Sequence, residues 1–201
     1  MIDVKQITEL HKATVARWHE GEIDNPCEDF LELVCRQHEF NYRLWHQEDI
    51  ARSRHVSDAE LAQVKRNIDK LNQQRNDMIE QLDHHLIRSL IAARVELMPG
   101  ARLNSETPGS VIDRLSILSL RAYHMLEQIN RSDVEQSHRE KAASQLEIIE
   151  RQHHDLSTSL SELLDDIFAG GKRLQVYRQL KMYNDASMNP YLYGAKKRPA
   201  A

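Results

Sequence analysis

The segment FNYRLWHQED, residues 40–49, gathers Asn41, Trp45, His46, Glu48 and Asp49 where apolar residues otherwise recur at helical spacing. These are side chains of proton transfer and polar recognition. Imidazole titrates near neutral pH, so His46 or His38 suits a general acid/base, with Asp49 or Glu48 to orient it. Arg75 interrupts the next apolar stripe between Asn72 and Asn76, and a guanidinium so placed receives an anionic group. The structural alternative is a polar layer whose members satisfy one another and fix helix register. His46 and Asp49 also lie three residues apart on one helical face, a spacing that suits metal ligands, with Glu39 a further donor. The paired Glu-x-x-His motifs of a di-iron bundle are absent, here and around His153-His154, so no metal ligands are assigned. A metal site of another kind remains an alternative.

A second candidate lies in NSETPGSVIDRL, residues 104–115. Thr107-Pro108-Gly109-Ser110 opens a helix whose free N–H groups, with the Thr107 and Ser110 hydroxyls, Asp113 and Arg114, could hold an anion. The plain reading is that Thr107 is an ordinary N-cap. The segment lacks the GK[ST] ending of a P-loop, so nucleotide hydrolysis has no support. A third cluster, Tyr177, Arg178, Lys181, Tyr183 and Asn184, could close over a phosphate or sugar, or simply dock the tail. No nucleophile triad is legible. No cofactor is expected.

The elements that must carry these residues are helical. A first helix spans about residues 3–21, its face of Val4, Ile7, Leu10, Val15 and Trp18 turned inward. Asn25-Pro26-Cys27-Glu28 reads as a capped start of a second helix running to about Arg54. Ser57-Asp58-Ala59-Glu60 opens a third that extends to Leu97, before Met98-Pro99-Gly100. Thr107-Pro108 starts a fourth, ending near Asn130; Ser132-Asp133-Val134-Glu135 caps a fifth, ending at Gly170-Gly171. Long stripes such as Leu61, Val64, Ile68, Leu71, Arg75, Met78, Leu82 predict a single-domain, all-α antiparallel bundle of about five helices. Leu71, Met78, Leu118, Leu156 and Leu160 are expected in its core, and residues 172–201 as an irregular tail packed on it.

Folding the second and third helices about residue 56 brings Gln37 level with Arg75 and Asn41 level with Leu71 and Asn72. This register predicts one polar cavity holding Asn41, His46, Asp49, Arg75 and Asn76, with Trp45 as its apolar wall. Folding the next hairpin about residue 131 puts Ile149 near Asp113 and His153 near the Thr107 helix start. Arg75 then falls about 20 Å or more from that start along straight helices. A shared pocket would need a kink near His84-His85.

Composition bounds the class. The chain has 201 residues, 27 Lys+Arg against 31 Asp+Glu, and a pI near 6.3. That balance argues against a nucleic-acid or anionic-membrane binder. The first turns carry Asp3, Lys5 and Glu9, no secretory signal or apolar span is visible, and a cytoplasmic protein is expected. Cys27 and Cys35, read as sharing one helix, fall about 12 Å apart and out of disulfide reach. Eleven histidines is the oddest count.

FNYRLWHQEDIAR, VKRNIDKLNQQRNDMIEQLD, NSETPGSVIDRLSILSLRAYHM and VYRQLKMYNDASMNPYLYG together resemble the bacterial family known as domain of unknown function four-two-five-four, over about residues 25–193. The resemblance implies an all-helical cytoplasmic protein encoded near glycosyltransferases of lipopolysaccharide assembly. It carries over no catalytic residue. Two functions follow as expectations. One is a site for a phosphorylated sugar or sugar nucleotide in cell-envelope glycan assembly. The other is a non-enzymatic partner of a glycosyltransferase, or of a second copy of itself.

Overall fold

The computed structural model describes residues 2–177, 182 and 185–194. Its elements are α1 (Val4–Glu20), α2 (Asp29–Arg52), α3 (Asp58–Ala92), β1 (Arg102–Leu103), α4 (Pro108–Asn130), α5 (Gln136–Phe168), β2 (Lys172–Arg173) and α6 (Pro190–Gly194). The expected all-α bundle is present. The two short strands pair in parallel, Arg102 with Lys172 and Leu103 with Arg173, and clip the α3–α4 connection to the end of α5. Gly170 makes that clip possible: its φ is 78°, and a Cβ there would collide with the Glu96 carbonyl. Among the described residues no helix is long and apolar enough to cross a membrane.

Helices α2 to α5 alternate in direction, as short connections require. The α2–α3 hairpin folds where the sequence places it, with Asn67 donating to Gln47 at 3.0 Å. The α4–α5 hairpin does not. Leu118 lies with Leu156, and Arg121 with Gln152 and Asp155, along one groove, so the fold point is later than residue 131. The cause is an α5 that begins only at Gln136, with Glu135 as N-cap. His153 consequently sits beside His11 rather than at the α4 start.

Helix α1 departs from the antiparallel scheme. His11 meets His38 at 4.6 Å between ring centroids, and His19 meets His46 at 5.2 Å. The offset is the same in both pairs, so α1 and α2 run in the same direction. Residues 21–28 return the chain along α1, about 25 Å for 17 residues of helix, which eight extended residues can just span. Trp18 Nε1 donates to the Asp24 carbonyl at 3.2 Å and Arg17 pairs with the Asp24 carboxylate, which fixes this return. Asn25 therefore does not cap α2. Its Nδ2 donates to the Glu32 carbonyl and its Oδ1 accepts from Cys27 N, while α2 starts at Asp29, whose φ is 52°. Cys27 lies on the return, not on α2, and packs beside Cys35 as its hydrogen-bond neighbour. The 12 Å separation expected of one continuous helix is thus wrong; both cysteines are free thiols.

The core centres on Ile7, Val34, Leu82, Leu86, Ile112, Leu115 and Leu160. Met78, Leu118 and Leu160 are buried as expected, whereas Leu71 and Leu156 are half-buried and Leu61 is exposed. Helix α3 passes through His84 and His85 unbroken and stops at Ala92 rather than Leu97. Arg94 ends it, with φ 52°; Arg94 N donates to Ile91 O and Val95 N to Leu90 O, the paired bonds of a Schellman cap.

Candidate functional site

The polar residues on the α2 and α3 stripes converge on a residue of α4. Asp113, buried, accepts from Gln37 Nε2 at 2.6 Å, Asn41 Nδ2 at 2.9 Å and Arg75 Nε at 2.7 Å on one oxygen. Its other oxygen takes Arg75 Nη2 at 2.5 Å, completing a two-pronged pair. Asn41 Nδ2 also reaches Ser116 Oγ at 2.9 Å, and His38 Nδ1 lies 2.7 Å from the same hydroxyl. Arg75 and Asp113, which the sequence places far apart, are thus direct partners, because α3 crosses α4 beside its first turns. Asp113 gives the polar stripes of α2 and α3 a common acceptor. Burial holds the His38 imidazole down to about 3, so it stays neutral. Sealed between α1 and α4, His38 has no route to a substrate.

The α4 N-terminus has an occupant of its own. Asp83, buried on α3, accepts from Gly109 N at 2.7 Å and from Thr107. Its carboxylate takes the place that an external anion would take at this helix start. Gly109 permits the approach: a Cβ there would lie 2.6 Å from the Ile79 carbonyl oxygen. Thr107 caps in the ordinary way, accepting from Ser110 N at 3.2 Å, and Arg114 turns outward to Glu106 at 2.7 Å.

Outside the Asp113 layer is an open groove of about 470 Å³ between α2, α3 and α4. Asn41, Trp45, Glu48, Asp49, Asn72 and Arg75 line it, joined by Arg52 and Arg121, which the sequence reading did not single out. Two expected members are missing. His46 is one position round the helix from Trp45 and faces a second groove with Tyr42, Asn67 and Leu71; Asn76 does not line the first. Among the described residues, Arg121 makes no hydrogen bond or ion pair. Lys181, Tyr183 and Asn184, with Arg178, lie outside the described residues. Tyr177 and Tyr191 beside them are exposed.

Where α1, α2 and α4 end together, six rings form a cluster that the sequence did not disclose. His19 stacks on Tyr123 at 4.3 Å and lies edge-on to His124 at 5.1 Å and His46 at 5.2 Å. Trp45 stacks on His124 at 4.6 Å with an interplanar angle of 6°, so one indole divides this cluster from the groove. Tyr42 completes the set, its hydroxyl donating to the Trp18 carbonyl at 2.9 Å. Burial, with His19 and His124 nearby, lowers the pKa of His46.

The chain belongs to the family described as "Protein of unknown function (DUF4254)", which matches residues 31–176. No curated protein matches the chain. No solved structure matches it either.

Proposed function

We propose that this protein binds a polar, anionic small molecule of the phosphorylated-sugar or sugar-nucleotide class in the groove between α2, α3 and α4, acting in cytoplasmic assembly of cell-envelope glycans. The observation that carries the reading is the convergence of Arg52, Arg75 and an unpartnered Arg121 on one groove with Trp45. Arg75 has spent Nε and Nη2 on Asp113 and Arg52 pairs with Glu48 at 3.2 Å, so Arg121 is the principal anion contact. The Trp45 ring, held by His124, offers an apolar face to a sugar, and Asn72, Glu48 and Asp49 can accept or donate to its hydroxyls. Proton transfer in the groove would fall to Asp49 or Glu48, since His38 is sealed and His46 faces elsewhere.

A thermal-shift panel of sugar phosphates and nucleotide sugars tests the reading. A ligand at 100 times its Kd stabilises by about 2.7 kcal/mol. At least one compound is expected to raise the melting temperature, and Arg121→Ala to abolish the rise. A panel without any shift, or a shift indifferent to Arg121→Ala and Arg52→Ala, overturns it. A partner role, with a glycosyltransferase or a second copy, is the other reading. It is supported by exposed apolar side chains near the α2–α3 and α4–α5 connections, Ile50, Leu61, Leu126 and Ile148.

A further inference from the structure

We infer that the ligand is two-armed, a diphosphate-linked molecule that straddles α4 with one arm in the groove beside Trp45 and the other in the groove between α4 and α5. Such a ligand presupposes that the first groove binds a small molecule, and it narrows the class from sugar phosphates in general to nucleoside diphosphate sugars. The two grooves are continuous, since Ile117 and Arg121 line both. These residues stand four apart on α4, one above the other on the same face, and form the ridge between the two spaces. Ile117 is half-buried, whereas Arg121 is exposed and sets a guanidinium on the crest. That guanidinium makes no hydrogen bond or ion pair among the described residues, although Asp155 lies along the same groove. Its planar fork is therefore left to take two phosphate oxygens at once.

The charges along the two grooves agree. Arg52, Arg75 and Arg114 are each paired, with Glu48, Asp113 and Glu106. Among the described residues, the charges left without an ion pair are Asp49 in the first groove, Asp155 in the second and Arg121 between them. A negative group is thus favoured in the middle and disfavoured at either end, which is the pattern of a diphosphate carrying an uncharged group on each side. The second groove, about 570 Å³, has an apolar floor of Ile117, Leu118 and Leu156 bordered by Gln152, Asp155 and Ser159. An amide, a carboxylate and a hydroxyl around such a floor can donate to and accept from the polar edge of a flat base whose face lies on the leucines. The first groove offers Trp45 and Asn72 to a hydroxyl-rich ring. Spaces on opposite flanks of one helix lie about 10 Å apart, the width of the helix. A phosphate with a single substituent fills only one of them.

The experiment is titration calorimetry on the full chain, comparing each nucleoside diphosphate sugar of the thermal-shift panel with the sugar 1-phosphate and the nucleoside diphosphate that make up its two ends. At least one intact compound is expected to bind about tenfold or more tightly than either of its parts, because joined arms bind as one. Arg121→Ala is expected to weaken all three. Gln152→Ala and Ser159→Trp, both at exposed positions of α5, are expected to weaken the intact compound and the nucleoside diphosphate by about tenfold. Both variants should leave the sugar 1-phosphate bound as in the wild type, and circular dichroism confirms that each is folded. A sugar 1-phosphate bound as tightly as the intact compound, or an intact compound indifferent to both α5 variants, overturns the two-armed ligand while the first groove keeps its function. Silence of every compound overturns both.

Discussion

Replacing Asp113 by Asn keeps the shape of the side chain and removes its charge. The amide oxygen still accepts from Gln37 and Asn41, but the amide nitrogen now faces Arg75 Nη2, donor against donor. Asp113 is 5% exposed and the Arg75 side chain 26% exposed, so the guanidinium left behind recovers only part of its hydration. Removing one partner of a buried pair costs about 3–5 kcal/mol, and the partial opening of Arg75 puts the expectation near the lower end, about 3 kcal/mol. For a chain of this length that is a fall in melting temperature of about 6–12 °C. Arg75→Met is expected to destabilise comparably, because it leaves a buried carboxylate with two neutral donors. The double variant Arg75→Met/Asp113→Asn is expected to lose less than the two single losses added together, which a denaturant double-mutant cycle at pH 7 measures. Melts of Asp113→Asn within about 1 °C of wild type, or additive losses, would refute the argument that this layer is a mutually satisfied lock. Unchanged stability of Arg75→Met with loss of sugar-phosphate binding would instead make Arg75 the ligand's anion clamp.

Burial lowers the pKa of both His11 and His38, so the unfolded chain takes up protons below about pH 6.5 while the fold refuses them. The share due to His38 is therefore full above that pH and is lost as pH falls toward about 3, at about 1.4 kcal/mol per pH unit, and His11 acts in the same direction; urea midpoints equal at pH 7 and 5 would contradict this. Arg94→Gly is expected to raise the melting temperature by about 2–4 °C, since glycine takes the left-handed φ without strain and offsets its own entropy loss by about 1 kcal/mol; calorimetry showing a decrease would disprove it. Cys27 is expected to react with iodoacetamide well before Cys35, whose thiol burial pushes up to about 12. Mass-spectrometric labelling of Cys35 first would count against that.

Local signals were legible and tertiary choices were not. The Ser57 and Thr107 caps and the α2–α3 register follow from neighbouring residues, and the structure keeps them. The end of α3 was hidden because an arginine, not glycine, holds the left-handed cap. The start of α2 was hidden because Asn25-Pro26 imitates a cap while its side chain braces a returning loop. Polar breaks on the stripes marked Asn41 and Arg75 as unusual, but their acceptor Asp113 sits on a helix whose crossing no periodicity specifies. The histidine cluster depends on α1 running alongside α2. Spacing within one chain segment cannot show that, and so His19 and His124 drew no attention.

That same parallel placement orders events during synthesis. Helix α1 emerges first, yet the partners of its apolar face, Ile7, Val15 and Trp18, include α4, whose residues follow roughly 100 positions later, about 5–20 s at about 5–20 residues per second. The α2–α3 hairpin can close meanwhile from local contacts. Helix α1 thus cannot complete its docking until α4 has emerged, and until then an amphipathic segment faces solvent in the manner that chaperones recognise. In the folded chain the amides of α1 should exchange hydrogen before those of α4.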